Sequence, residues 1–522
     1  MSVFLLESGE SWPQSAGARK TITRSMTRPA TRPVRGAHRE ATTMTDGART
    51  DGAAVGEATV GEATVGEATA PAAAVEDRPV VTTDRGRVRG VVEGAVAAFR
   101  GIPYAASPVG KLRFAPPRPH EGWSETRDAA RSGPSVPQNA SRLEAVMGKR
   151  VPNWAEADSL NLNVWTPARL LSESERDGRR PVLLWFHGGG FTSGSGGWDW
   201  YDGGRLAALG DIVVVTANYR LGPLGYLHLP EPGTDNVGVR DQAAVLRWVH
   251  ANAEAFGGDP GAITVGGQSA GAYASLALAL VPETRPLIRR VIAQSGPWGM
   301  EPQDPDKARD HTAALVRLLG VDSAPNPGDA LRELPVERLL AAYAQLSADL
   351  AVSGHIDPPL FPVLGGAGMP SSPLPQAVAN GDLGETGLLI GTVKDEMTAF
   401  VGAGPHAQPL TDTVMRTPTL EIAAARAEQG APPYVYEFDR ESPDNSGLGA
   451  THCSELPFLF GTFDAFAASP MLGHPTPSDR TLSTAFASAF AAFVATGSPT
   501  GEGLAPWEAY GTGEGDGVKR FG

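Results

Sequence analysis

A tight turn between a strand and a helix is written into residues 263–280. Ile263-Thr-Val-Gly266 is a short β-branched run, Gly267-Gln268-Ser269-Ala270-Gly271 follows without a break, and Ala270 to Ala279 is apolar apart from Tyr273 and Ser275. A strand, a glycine turn and a buried helix in that order call for an α/β architecture, a mainly parallel sheet with helices on both faces. Ligands then bind beyond the C-terminal ends of the strands, and Ser269 stands at such an end. The G-x-S-x-G pattern lifts its serine off the sheet, where a base can reach the hydroxyl.

Other segments support the same sheet. Residues 182–186, 212–216, 291–295 and 388–391 are apolar strand candidates, and residues 239–256 carry Val245, Trp248, Val249 and Phe256 at helical spacing. From Arg78 to Gly90 the texture predicts a small β meander. His187-Gly188-Gly189-Gly190 directly follows the first of these strands, 82 residues before Ser269. Three glycines after a buried strand leave backbone N–H groups uncovered, which suits a carbonyl oxygen turning into an oxyanion. Gly189, Gly190 and Ala270 are the expected donors, and His187 is expected to support the loop.

Composition narrows the partners. With 44 Lys and Arg against 58 Asp and Glu the net charge is −14, which argues against a nucleic-acid partner. The single cysteine, Cys453, permits neither an intrachain disulfide nor a cysteine-based metal site. No apolar run reaches the ~20 residues of a membrane span. Residues 1–77 differ from the rest: a basic stretch is followed by an acidic one holding Val-Gly-Glu-Ala-Thr in three tandem copies. That composition predicts a disordered tail, with Met44 as an alternative start, ahead of one catalytic domain over residues 78–522. Val3-Phe-Leu-Leu6 is too short for the apolar part of a secretory signal and precedes the charges, so a cytoplasmic location is expected.

The base and acid candidates are narrowed by chain order, which for a serine on a G-x-S-x-G strand-to-helix turn runs Ser, acid, His. Lys394-Asp395-Glu396 directly follows a strand candidate and offers two adjacent carboxylates, between which composition does not choose. Beyond them lie His406, His452 and His474. His406 and His474 sit in Pro/Gly-rich stretches, whereas His452 is delivered by the small-residue loop Gly449-Ala450-Thr451 and anchored by an apolar segment.

With these residues in hand the chain resembles the type-B carboxylesterases, α/β-hydrolases that include cholinesterases and bacterial para-nitrobenzyl-type esterases. The likeness spans about Gly86 to Tyr510 and includes Phe99-Arg-Gly-Ile-Pro-Tyr-Ala105, Asn218-Tyr-Arg-Leu-Gly-Pro-Leu-Gly225, Asp241-Gln242 and Phe256-Gly-Gly-Asp-Pro260. It implies the α/β-hydrolase fold and hydrolysis of small-molecule carboxylic esters through an acyl-enzyme, with neither cofactor nor metal. It implies Glu396 as the acid, His452 as the base and Ser295 as a polar partner near the acid. Carbamate or amide hydrolysis with the same triad, and a non-catalytic binding role of the same fold, are the alternatives. The chain departs from the family pattern at four places. Ser159 stands where a cysteine is usual, with no cysteine in its partner segment 133–138, so packing alone is expected to hold that loop. Gln268 replaces the usual Glu before the serine. Cys453 replaces Gly after the histidine, as a packed thiol. The 56-residue separation of Glu396 and His452 is short, which predicts a trimmed helical cap and a more open pocket.

Overall fold

The computed structural model describes residues 78–172, 178–231, 233–352, 357–501, 503–513 and 515–522. The predicted tail, residues 1–77, lies outside the described residues. In chain order the strands are β1 (Val80–Thr83), β2 (Gly86–Arg89), β3 (Val91–Glu93), β4 (Val96–Pro103), β5 (Arg127–Asp128), β6 (Asn161–Pro167), β7 (Arg180–Phe186), β8 (Val213–Ala217), β9 (Gly258–Gln268), β10 (Arg290–Gln294), β11 (Gly387–Val393), β12 (Tyr434–Phe438) and β13 (Val518–Phe521). Ten of them form one sheet in the order β13-β12-β11-β10-β9-β7-β8-β6-β4-β3. From β13 through β8 every pairing is parallel, and β6, β4 and β3 close the other end antiparallel. The predicted meander is β1 and β2, which pair with β5 in a separate small sheet.

The continuous apolar runs have a direct cause. Val182, Leu184 and Phe186 of β7 point into one core, while Leu183 and Trp185 point into a second on the opposite face. β8, β10 and β11 alternate in the same way. A strand buried on both sides has no polar face to alternate with. Helices Val237–Asn252 and Ala270–Leu280 cover the first face, and all four residues expected on the inner side of the former segment are in that core. Helices Gly204–Gly210, Leu456–Phe460 and Pro477–Thr496 cover the second. Between β10 and β11 the chain adds helices Pro305–Leu319, Pro327–Arg332, Val336–Val352 and Leu374–Ala379, which the sequence reading did not anticipate.

The loop without a disulfide is held by more than packing, which corrects the expectation. Asn161 Nδ2 donates to Pro134 O and Asp158 O, both at 2.9 Å, and Asn218 Nδ2 donates to Pro134 O at 3.0 Å and Ser159 O at 3.2 Å. Two buried carboxamides thus tie the two segments together by hydrogen bonds. Nearby, the fully buried Arg220 guanidinium grips Asp241 with Nε at 2.8 Å and Nη2 at 2.7 Å, fixing the chain after β8 to the helix that begins at Val237. Among the described residues no helix is long and apolar enough to cross a membrane.

Candidate active site

Ser269 is placed by backbone sterics. Its φ of +56° and ψ of −122° put it in a sparsely populated region, a strain held by what surrounds it. Its N–H donates to Gln294 O at 2.8 Å, and its carbonyl accepts from Tyr273 N at 3.0 Å as the next helix begins. The turn closes only because its corners lack side chains: a Cβ on Gly271 would lie 2.0 Å from Phe186 O at the end of β7. Ser269 keeps 8% exposure, while His452 and Glu396 are fully buried.

The glycine loop after β7 folds back on itself. Gly189 O accepts from Thr192 N at 3.0 Å and Ser193 N at 3.1 Å, and a Cβ on Gly189, whose φ is +114°, would lie 2.0 Å from Ser193 O. With its carbonyl turned inward, the loop's N–H groups are left for another acceptor; among the described residues neither Gly189 N–H nor Gly190 N–H has one. Ala270 is the first residue of its helix, so its N–H has no intrahelical acceptor and sits at the positive end of the helix dipole. His187 acts as the expected support. It is buried, stacked on Tyr219 at 4.5 Å between ring centroids, with Nδ1 at 2.7 Å from Gly188 O. Burial lowers its pKa to about 4, so it is neutral at working pH.

Side-chain hydrogen bonds assemble the acid–base side. Glu396 Oε1 accepts from Val393 N at 3.0 Å, and its Oε2 lies 2.5 Å from His452 Nδ1. Asp395 has a different task. Its backbone N–H donates to Ala450 O at 2.9 Å, its Oδ2 accepts from Ala450 N at 3.0 Å, and its Oδ1 accepts from Gln408 Nε2 at 2.6 Å. Thr398 Oγ1 donates to Leu448 O at 2.6 Å and lies 2.7 Å from Thr451 Oγ1. One carboxylate therefore engages the imidazole, and its neighbour ties down the loop that presents it. His406 is exposed, and His474 is exposed and pairs with Asp444.

Three features escaped the sequence reading. Ser295 does not bond Glu396; its hydroxyl donates to Glu455 Oε1 at 3.4 Å. The reason is local: β10 ends at Gln294, and Ser295, at φ +51°, turns its side chain toward the loop after His452. Glu455 is fully buried, and desolvation, aided by the Glu396 charge, raises its pKa to about 8, so it holds its proton at neutral pH. Second, the Phe400 ring, 40% exposed, lies 5.3 Å from the His452 ring, and the Arg142 guanidinium lies 4.0 Å from where a Cβ on Gly190 would stand. Third, Gln268 Nε2 lies 3.2 Å from His452 Nε2, and none of the hydrogen bonds among the described residues involves the Ser269 hydroxyl. A glutamate three residues after the base and an aromatic four after the acid were the available signals for Glu455 and Phe400. Cys453 is buried with its thiol held protonated by burial, as expected, at φ +75°, where glycine is the unstrained choice.

The chain is similar to known proteins over most of its length. A family model described as the carboxylesterase family matches residues 77–408 and 404–519. The chain is 35% identical over 475 residues to phenmedipham hydrolase of Pseudarthrobacter oxydans, covering 83% of this chain and 93% of that protein. It is also 35% identical over 475 residues to para-nitrobenzyl esterase of Bacillus subtilis (strain 168), covering 83% and 92%. Among solved structures, that of a thermophilic para-nitrobenzyl esterase superposes with a TM-score of 0.73 at 33% identity, over 83% of this chain and 94% of that one.

Proposed function

The chain belongs to the carboxylesterase family and is a serine carboxylic ester hydrolase of the α/β-hydrolase fold; from that premise we propose that Ser269, His452 and Glu396 carry the reaction, with Gly189, Gly190 and Ala270 as the oxyanion donors. Ser269 Oγ attacks the ester carbonyl carbon as His452 Nε2 takes its proton. The carbonyl π pair moves onto oxygen, and the new oxyanion accepts the three N–H groups. Collapse breaks the bond to the alkoxy oxygen, and His452 returns the proton to the departing alcohol. A water molecule then attacks the acyl-enzyme, again giving its proton to His452, and the second collapse frees the acid and restores Ser269. Glu396 accepts a hydrogen bond from Nδ1–H throughout, fixing the tautomer and stabilising the imidazolium without itself being protonated.

The observation that carries this reading is the 2.5 Å contact between His452 Nδ1 and Glu396 Oε2, buried at the strand ends beside the Ser269 turn. Small-molecule esters are the substrate class; we propose neutral esters with uncharged acyl groups as the first panel, with phenmedipham included because a relative is named for it. A fluorophosphonate probe tests the assignment. Ser269 is expected to carry the adduct, and a protein that cleaves esters while the adduct maps to another residue overturns it.

A further inference from the structure

We propose that Gln268 is a positioning residue for the base: its carboxamide occupies the lone pair through which His452 takes the Ser269 proton, and so holds the imidazole neutral until substrate arrives. This rests on His452 being the base. Gln268 closes β9 and is buried, with its Oε1 only 2.6 Å from where a Cβ on Gly188 would stand. Its carboxamide therefore lies between the glycine loop and the imidazole, with Nε2 at 3.2 Å from His452 Nε2. On the other edge of the ring Nδ1 faces the Glu396 carboxylate at 2.5 Å and donates to it. A neutral imidazole that donates from Nδ1 has a bare lone pair on Nε2, so the proton in the second contact comes from Gln268. That lone pair admits one well-aligned donor. The serine hydroxyl and the carboxamide compete for it, in keeping with a Ser269 hydroxyl that takes no part in the hydrogen bonds of the described residues.

The charges around the ring make the residue type matter. Glu396 faces it from the loop after β11, Glu455 from its own loop, the Phe400 ring from the short helix after Glu396, and Gln268 from β9, where the Gln268 side chain also bonds the Cys453 thiol. Burial holds both Glu455 and Cys453 protonated at neutral pH, which leaves Glu396 as the carboxylate in hydrogen-bond contact with the ring among the described residues. A hydrogen bond donated to the neutral ring disfavours the imidazolium, whereas a carboxylate at the same place favours it. The glutamine at position 268 thus keeps the base unprotonated, and the enzyme working, at more acidic pH than a glutamate there would allow.

The test uses Q268E and the near-isosteric Q268M. Two rates are followed against pH: kcat/KM for para-nitrophenyl acetate, and phosphonylation of Ser269 by a fluorophosphonate. The acidic midpoint of both profiles is expected to rise by about one pH unit in Q268E and by a few tenths in Q268M. Superimposable acid limbs in all three proteins, or a loss in Q268M by the same factor at every pH, overturns the proposal. Should Q268E not fold, ¹⁵N spectra of the wild-type imidazole decide: Nδ1 protonated and Nε2 bare at neutral pH supports it, and a protonated Nε2 overturns it. A wild-type protein whose rates show no acid limb at all breaks the assignment of His452 itself, which separates that failure from this one.

Discussion

The nucleophile side and the acid–base side of the site meet at one imidazole but are built from different materials. On the nucleophile side the geometry is made by missing side chains: Gly271 lets the helix start against Phe186 O, and Gly189 lets its loop close against Ser193 O. On the acid–base side it is made by side chains that bond across 50 or more residues: Glu396 to His452, Asp395 to Ala450, Thr398 to Leu448. The first side is rigid because there is no room for anything else. The second is rigid because polar groups in a dry interior have few other partners. One side should therefore be intolerant of a single added methyl group, and the other tolerant of shape but intolerant of a lost charge or acceptor.

Ser269→Ala sets the scale, with kcat falling roughly 10⁵–10⁶-fold while the melting temperature stays near wild type. A tenth of the activity surviving would mean that the two sides converge on something other than this hydroxyl. Next comes Glu396→Gln, nearly isosteric. The carboxamide cannot supply the charge that orients and stabilises the imidazolium, and kcat should drop by about 10⁴. Gly189→Ala follows: an added methyl 2.0 Å from Ser193 O would displace the loop, costing about 10²–10³ in kcat through the lost oxyanion donor. If Gly189→Ala were silent, steric exclusion would not be what shapes the nucleophile side. Asp395→Asn should cost only about tenfold in kcat, because its amide can keep one of the two acceptor roles and the charge on Glu396 remains. Should Asp395→Asn prove worse than Glu396→Gln, the two carboxylates would have exchanged roles and the comparison would break at its centre.

The same contrast explains what was legible beforehand. Residues 187–190 and 267–271 are two short unbroken runs, so a few letters of each carry a complete local geometry, and the strands beside them are marked by apolar runs that both cores demand. The acid and base could be narrowed by chain order, but the choice between Asp395 and Glu396 depends on which way two neighbouring side chains point after β11. Nothing in Lys394-Asp395-Glu396 encodes that; the pairing with Ala450, far along the chain, does. Ser295 illustrates the opposite hazard, because its neighbourhood was anticipated while its partner was not. The helices between β10 and β11 were readable in principle. Pro305–Leu319 opens with Asp304 accepting from Asp306 N and Lys307 N, buries Ala308, Thr312, Leu315 and Leu319 at helical spacing, and ends at Gly320 with φ +71°.

Glu455 gives the smallest effect and the sharpest check on the acid–base side, because it should show in stability as well as in rate. Burial raises its pKa to about 8, far above an ordinary carboxylate, with the Glu396 charge adding to the rise. Between the unfolded value of about 4.3 and the folded one, the native state binds the proton that the unfolded chain has released. The stabilisation tied to that proton is fully present below the lower value and is lost as pH rises through the upper one, at no more than about 1.4 kcal/mol per pH unit. Glu455→Gln keeps the shape and removes the titration, so the variant should lose less stability than wild type between pH 5 and pH 8 in urea unfolding. Ser295 can still donate to the carboxamide oxygen, and Glu396 keeps its charge, so kcat at neutral pH should change by less than about tenfold. A wild-type protein and a Glu455→Gln variant with parallel stability curves across that range would mean that the buried carboxylate is ionised. The imidazole of His452 would then face two negative charges from the acid–base side, and the neutrality attributed to Gln268 would have to overcome both.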